Sequence, residues 1–174
     1  GKEFPMAGRD EITKQINYLK RKFLYYKNFA GKEIKNIFST SQLQNSKVLY
    51  ANEFQSFVFL NDGNGFEAKP LPIIAQSSPI SVIETCDYNS DNNIDLLIFG
   101  NKNFVSTYFG SFDANHGILL KGKGDGTFEY VDQKKSGLNV TGETKKMFYL
   151  DKNKTKFVLA VNNNKLNFYK LNSL

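Results

Sequence analysis

The 174-residue sequence predicts a mainly β fold behind an N-terminal α-helical segment. Three observations carry that expectation. The hydrophobic period changes from helical to two-residue near Val48. Two clusters of Gly, Asn and Asp, at 61–65 and 122–126, read as tight turns between short strands, because these residues accept positive φ. An oxygen-rich loop, 87–95, lies between two apolar runs, 80–86 and 96–99.

The helical segment comes first. Residues 1–8 read as an extended lead-in, and Asp10 and Glu11 suit the first turn of a helix by complementing its dipole. Ile12, Ile16, Leu19, Phe23 and Tyr26 then share one helical face, which predicts a single helix to about Asn28. Lys14, Lys20, Arg21, Lys22 and Lys27 lie mostly off that face. Such a helix can sit on membranes or phosphates, or simply present a solvated face over a buried one. Gly31 ends it. Ile34, Ile37 and Phe38 suggest a second short helix, and 39–47 reads as a loop.

Strands are expected at 48–52, 54–60 and 66–71, with the first Gly–Asn turn between the last two. Pro70, Pro72 and Pro79 punctuate the next connection. Strands 80–86 and 95–100 flank the acidic loop. Residues 101–116 read as a polar and aromatic loop holding the single histidine, His116, beside Asp113 and Asn115; one His without clustered partners reads as a hydrogen-bonded loop residue. Phe104, Tyr108, Phe109 and Phe112 in that loop form either a partner surface or internal packing. Strands at 118–121, 128–131, 145–150, 157–161 and 166–171 complete the chain.

Composition bounds the class. Hydrophobic residues at 40% and charged ones at 23% are ordinary for a globular chain, and the length supports one domain or a piece of one. No run approaches the ~20 apolar residues of a membrane helix, and no signal-peptide pattern opens the sequence. The single cysteine, Cys86, excludes an internal disulfide and reads as a small buried hydrophobe at an inward strand position. Residues 1–48 hold ten Lys/Arg against four Asp/Glu, which accounts for the whole net charge of +6; the thirteen of each sign that remain cancel. Basicity confined to one segment argues against a nucleic-acid-binding protein as a whole.

The acidic loop carries the chemistry. Asp87, Asn89, Asp91, Asn93 and Asp95 alternate with spacers, and calcium takes six to eight oxygen ligands from such a loop. Positions one, three and five would give side-chain oxygens, Asn93 its backbone carbonyl, and Asp95 would close the ring directly or through water. The loop is no EF-hand, since Asn92 stands where that motif has Gly and Ile98 where it has the bidentate Glu. Asn tolerates the left-handed conformation, so the turn survives. The competing reading is a polar turn whose carboxylates only cap backbone N–H groups.

An internal repeat organises the β part. Residues 59–67 match 120–129 with one insertion, and Phe66 to Phe128 is a period of 62. The acidic loop has an echo at 150–161, which keeps Asp151 and Asn153 but has Thr155 where Asp91 stands. One repeat is then strand, acidic loop, strand, connection, strand, Gly–Asp turn, strand. Four antiparallel strands in about sixty residues describe a propeller blade, and unbroken apolar runs such as 96–99 fit strands buried on both faces. The expected architecture is a partial or open β-propeller of four-stranded antiparallel blades, one complete and two partial, over 48–174, with a basic helical segment, 1–47, packed on the repeats.

The Asp–x–Asn–x–Asp–x–x–x–Asp–Leu pattern at 87–96 and Gly–Asp–Gly–Thr–Phe at 124–128 resemble FG-GAP/VCBS repeats, the blades of integrin-type propellers. The Phe–Pro–x–x–Gly–Arg–Asp segment at 4–10 and Gly–x–x–Asp–Ala–x–x–Gly at 110–117 are similar to the C-terminal region of bacterial VCBS-repeat proteins of the ASPIC/UnbV, cartilage-acidic-protein-like type. The resemblance implies an exported scaffold, in the periplasm, on the outer membrane or outside the cell, bound to calcium and non-catalytic, with a protein or glycan ligand. It assigns the metal to Asp87, Asn89, Asp91, Asn93 and Asp95 and not to Asp151 and Asn153. The rival readings are a carboxylate-based hydrolase and a basic-helix binder of membranes or nucleic acid. Against the first, three aspartates spaced for one cation would need that cation, and no Gly–x–Ser–x–Gly, Cys/His pair or phosphate loop is present.

Overall fold

The structure is a computed structural model and describes residues 1–106 and 110–171. Two compact units divide the chain, Gly1–Asn52 and Glu53–Leu174.

The first unit is helical, in short pieces. Helix α1 spans Arg9–Gln15, α2 Leu19–Lys22, α3 Tyr26–Phe29, α4 Ile34–Ile37 and α5 Thr40–Gln44. The single helix expected up to Asn28 is therefore three. The chain leaves helical geometry at Ile16 (φ −122°, ψ 84°) and at Phe23 (φ −123°, ψ 70°). Asn17, Phe23 and Tyr25 have weaker helix propensity, so little local preference holds a straight helix together at those points. Breaking it lets Leu19, Phe23 and Ile37 close one small core, flanked by Ile12, Ile16, Phe29 and Phe38. Tyr26, expected on the buried face, is exposed. Two of the basic side chains are internal caps. Arg9 Nε donates to the Phe23 carbonyl at 2.6 Å, and Lys22 Nζ donates to the carbonyls of Asn36 and Ile37 at 3.0 and 2.7 Å. The stretch read as a loop after Phe38 holds α5, started by Ser39: its hydroxyl accepts from Gln42 N at 3.3 Å, and the Gln42 side-chain oxygen accepts from Ser39 N at 2.9 Å.

The second unit is β. Its strands are β1 Phe57–Asn61, β2 Phe66–Pro70, β3 Ile80–Cys86, β4 Asp95–Gly100, β5 Ile118–Gly122, β6 Phe128–Val131, β7 Thr144–Tyr149, β8 Lys156–Val161 and β9 Asn167–Lys170. Residues 48–52, expected as a strand, form none. A 3-10 turn over Ile73–Gln76 and a short helix α6, Gln133–Ser136, add to the expected elements. Among the described residues these form three antiparallel sheets: β1-β2, the four-stranded meander β3-β4-β5-β6, and β7-β8-β9. The mainly β class is as the sequence predicts.

Strand β4 is the axis of this unit, and all six of its residues are buried. Its alternate side chains go to opposite cores. Leu97 and Phe99 join Val82, Leu119, Met147, Phe157 and Leu159 in one core between the second and third sheets. Leu96 and Ile98 join Leu71, Ala75, Ile118 and Leu120 in another, against which Val58 of β1 packs. An unbroken apolar run buried on both faces is what 96–99 predicts. The β1–β2 and β5–β6 turns share a plan: Asn61 pairs with Phe66, and Gly122 with Phe128, across the two hairpins. In each an aspartate holds the turn, Asp62 Oδ1 accepting from Gly65 N at 2.7 Å and Asp125 Oδ1 from Thr127 N at 2.8 Å.

Candidate metal centre

The acidic loop joins β3 to β4, so both of its ends are fixed by an antiparallel pair that runs from Ile80 opposite Gly100 to Cys86 opposite Asp95. Ser90 and Asn92 have left-handed backbones, φ 58° and 64°. Asn92 therefore takes the conformation assigned to it when it replaces Gly at position six.

Each predicted ligand has a place in this hairpin. Asp87 accepts from Asp91 N through Oδ1 and from Asn92 N through Oδ2, both at 3.0 Å. Asp95 is fully buried and accepts from Tyr88 N at 2.9 Å and from Gly122 N at 2.8 Å. The second contact requires β5 to come close. Gly122 allows it, since a Cβ there would run into the Ile94 carbonyl oxygen. Asp91 Oδ1 accepts from Asn93 N at 2.9 Å, while its Oδ2 accepts from the Asn89 side-chain amide at 2.8 Å and lies 3.2 Å from the Lys121 ammonium. The Asn93 amide, the Asn89 amide and Lys121, in that order, hold the Asp91 carboxyl below the ordinary carboxylate range. Asp91 in turn raises the Lys121 ammonium above its usual value.

Asp87 and Asp95 thus clamp the loop from its two ends, and Asn89 and Asp91 touch each other. Among the described residues, no three Asp, Glu, His or Cys side chains converge into a cage. In donor type alone, the five residues are those a hard cation takes. Every predicted ligand atom is oxygen, and each carboxylate oxygen of Asp87 and Asp95 spends one lone pair on an N–H and keeps another. An ammonium already stands against Asp91 as a cation. Lys121 was not foreseen; the only trace in the sequence is one charge inside the apolar strand 118–122.

The loop between β7 and β8 repeats part of this geometry. Asp151 Oδ1 accepts from Thr155 N at 2.9 Å and from Lys156 N at 2.8 Å, the same fourth and fifth residues along that Asp87 holds. Its fourth residue, Lys154, is left-handed at φ 56°, as Ser90 is. The Thr155 hydroxyl donates to Asp151 Oδ2. That hydroxyl, followed by the Lys156 amide, lowers the Asp151 pKa.

The other candidates are placed as follows. His116 is exposed, while Asn115 beside it is buried, its Oδ1 accepting from Gly117 N at 2.8 Å. Phe104 and Phe112 are exposed, and Tyr108 and Phe109 lie outside the described residues. Cys86 is free and buried, as expected. Asn101, which sequence reasoning passed over, is a buried hub: Oδ1 accepts from Ser78 Oγ and Asn115 N, and Nδ2 donates to the carbonyls of Asn115 and Gly142. In comparisons with known proteins, no family model, no curated protein and no solved structure matches this chain.

Proposed function

We propose that this chain is a non-catalytic, calcium-binding β-repeat module of the FG-GAP/VCBS kind, part of a partial or open propeller in an exported protein. Its role is to bind a protein or glycan, or to act as a scaffold. One observation carries the reading. At the fifth position of the second loop, Thr155 donates a proton to the leading aspartate and the loop is satisfied by its own atoms. At the same position of the first loop stands Asp91, which when ionised cannot donate to Asp87. Two carboxylates on one short turn, with Asp95 behind them, call for a cation. Asp87, Asn89 and Asp91 would offer side-chain oxygens, Asn93 its carbonyl, and Asp95 would close the set. A bound divalent ion would offset two of the three carboxylate charges and pin β3 to β4. The four-stranded meander and the matching plans of the two loops and two turns support the repeat reading.

The test is a thermal melt with calcium, with magnesium and with excess chelator, on wild type and Asp91→Ala. Extracellular sites bind at ~10⁻⁴–10⁻³ M. At about 10 mM calcium, mass action then predicts a midpoint rise of roughly 3–11 °C. Magnesium should give little, since it demands tight octahedral geometry. Asp91→Ala should abolish the rise. A wild-type midpoint that is the same in calcium and in chelator overturns the reading and leaves the loop a polar turn.

A further inference from the structure

We infer that Lys121 is a tethered cation that competes with a divalent ion for the acidic loop, so that a lysine on the neighbouring strand sets the loop's affinity. The inference rests on the calcium reading above and concerns how that same site is regulated.

Strand β5 is apolar and buried except at this residue: Ile118, Leu119, Leu120 and Gly122 are buried, and Lys121 alone is half-exposed. A lone lysine in such a strand must send its ammonium to water or to an acceptor at the strand's edge. Here Nζ lies 3.2 Å from Asp91 Oδ2. Among the described residues that oxygen has no backbone N–H partner, and Lys121 and the Asn89 side-chain amide hold it. Asp91 Oδ1, both oxygens of Asp87 and both of Asp95 each carry a backbone N–H. The oxygen most free to turn toward an incoming ion is therefore the one the ammonium occupies.

The same strand fixes the opposite side of the site, because the amide of Gly122, the next residue, holds Asp95. The β4–β5 pairing thus delivers the ammonium to the loop by register. A displaced ammonium also has somewhere to go. Lys121 faces Glu129 across the β5–β6 ladder, and that carboxylate is now engaged only loosely, 3.6 Å from Lys123. The second loop, with Thr155 at the corresponding position, bonds to itself through a neutral hydroxyl.

Calorimetric titration of calcium into wild type, Lys121→Met and Lys121→Arg tests this, alongside melts of all three in chelator. Met keeps length and apolar stem without the charge; Arg keeps the charge. Competition predicts a calcium Kd lower by roughly two- to fivefold in the Met variant, the span of an exposed ion pair, and unchanged in the Arg variant. The Met variant should melt no higher than wild type in chelator and gain more from calcium. Equal Kd values in wild type and Lys121→Met overturn the inference while the calcium reading stands. Absence of calcium binding in wild type and Lys121→Met alike overturns both, and leaves Lys121 and Asp91 as an ordinary ion pair.

Discussion

Replacing Asn101 by alanine should destabilise the β unit more than its single polar side chain suggests. Asn101 follows β4 directly, is buried, and has a left-handed backbone at φ 81°. Its side chain makes four hydrogen bonds: 2.9 Å from Ser78 Oγ, 2.9 Å from Asn115 N, 2.7 Å to Asn115 O and 3.0 Å to Gly142 O. These tie the end of the central strand to the 110–117 segment and to the chain entering β7. Ser78 keeps an acceptor, the Phe112 carbonyl at 3.1 Å. The Asn115 N–H loses its one acceptor among the described residues, and leaving one buried donor unpaired costs about 1–3 kcal/mol. Two carbonyls lose a donor as well. Alanine at positive φ adds about 1 kcal/mol, a cost that asparagine bears more easily. The expected loss is therefore about 3–5 kcal/mol. Urea unfolding followed by far-UV circular dichroism measures it, provided the slope stays that of wild type. Asn101→Gly removes the same four bonds without the backbone strain and should lie about 1 kcal/mol above alanine. An alanine variant within about 1 kcal/mol of wild type would refute the reasoning, since neither the hydrogen bonds nor the strain would then count.

Two further predictions address the register and the buried thiol. Phe157 is fully buried, 6.1 Å from Phe99 and stacked on Tyr169 at 5.2 Å, so Phe157→Ala should cost about 3–5 kcal/mol. Phe148 on β7 is 57% exposed, and Phe148→Ala should cost under about 1 kcal/mol; equal losses in denaturant melts would mean the strands face the other way. Burial, and secondarily the Asp95 charge, pushes the Cys86 thiol up to about 12. Below the unfolded thiol's value near 9.0 both states are protonated and this contribution to stability is whole; it is lost as pH rises from there toward about 12. Ellman's reagent at about pH 8 should accordingly react with Cys86 only at the rate of opening, and fast labelling of the folded protein would contradict its burial.

The β unit was legible because its strands are short apolar runs stopped by residues with one conformational job. Ile80–Cys86, Asp95–Gly100 and Phe128–Val131 fall where the pattern places them, each ended by an Asp, Asn or Gly turn. The N-terminal unit was less legible. Ile12, Ile16, Leu19 and Phe23 keep a helical period, yet the core they make with Ile37 closes only if the helix breaks, and that depends on tertiary packing. Helix α5 did have a local signal, Ser39 followed three residues later by Gln42, which was passed over in a polar stretch. At the site, spacing located Asp87 and Asp95 because a hairpin loop is local. Lys121 and Gly122 reach the loop from a strand about thirty residues on, through the β4–β5 pairing, and no local pattern encodes a sheet order.

How the loop is mounted bears on how tightly it could hold an ion. Asp95 opens β4, a strand buried on both faces, and its carboxylate is fixed by two amides from different elements. Asp87 is fixed by two more from its own turn. These two carboxylates cannot swing far without breaking backbone hydrogen bonds, so they are preorganised, and little ordering entropy remains to be lost at those positions. Asn89 and Asp91 are different: Asp91 Oδ1 is fixed by the Asn93 amide, but its Oδ2 is held by the Asn89 side-chain amide and the Lys121 ammonium, and those two contacts can be exchanged for a cation without breaking a backbone hydrogen bond. A divalent ion would therefore meet a half-built site, with two rigid ligands and two that must turn, one of them released from lysine. Such a site fits the weak end of calcium affinities, where occupancy follows the calcium concentration around the protein. The same division predicts where substitutions act: changes at Asp95 or Gly122 should lower stability even in chelator, whereas changes at Asp91 or Lys121 should act chiefly through the ion.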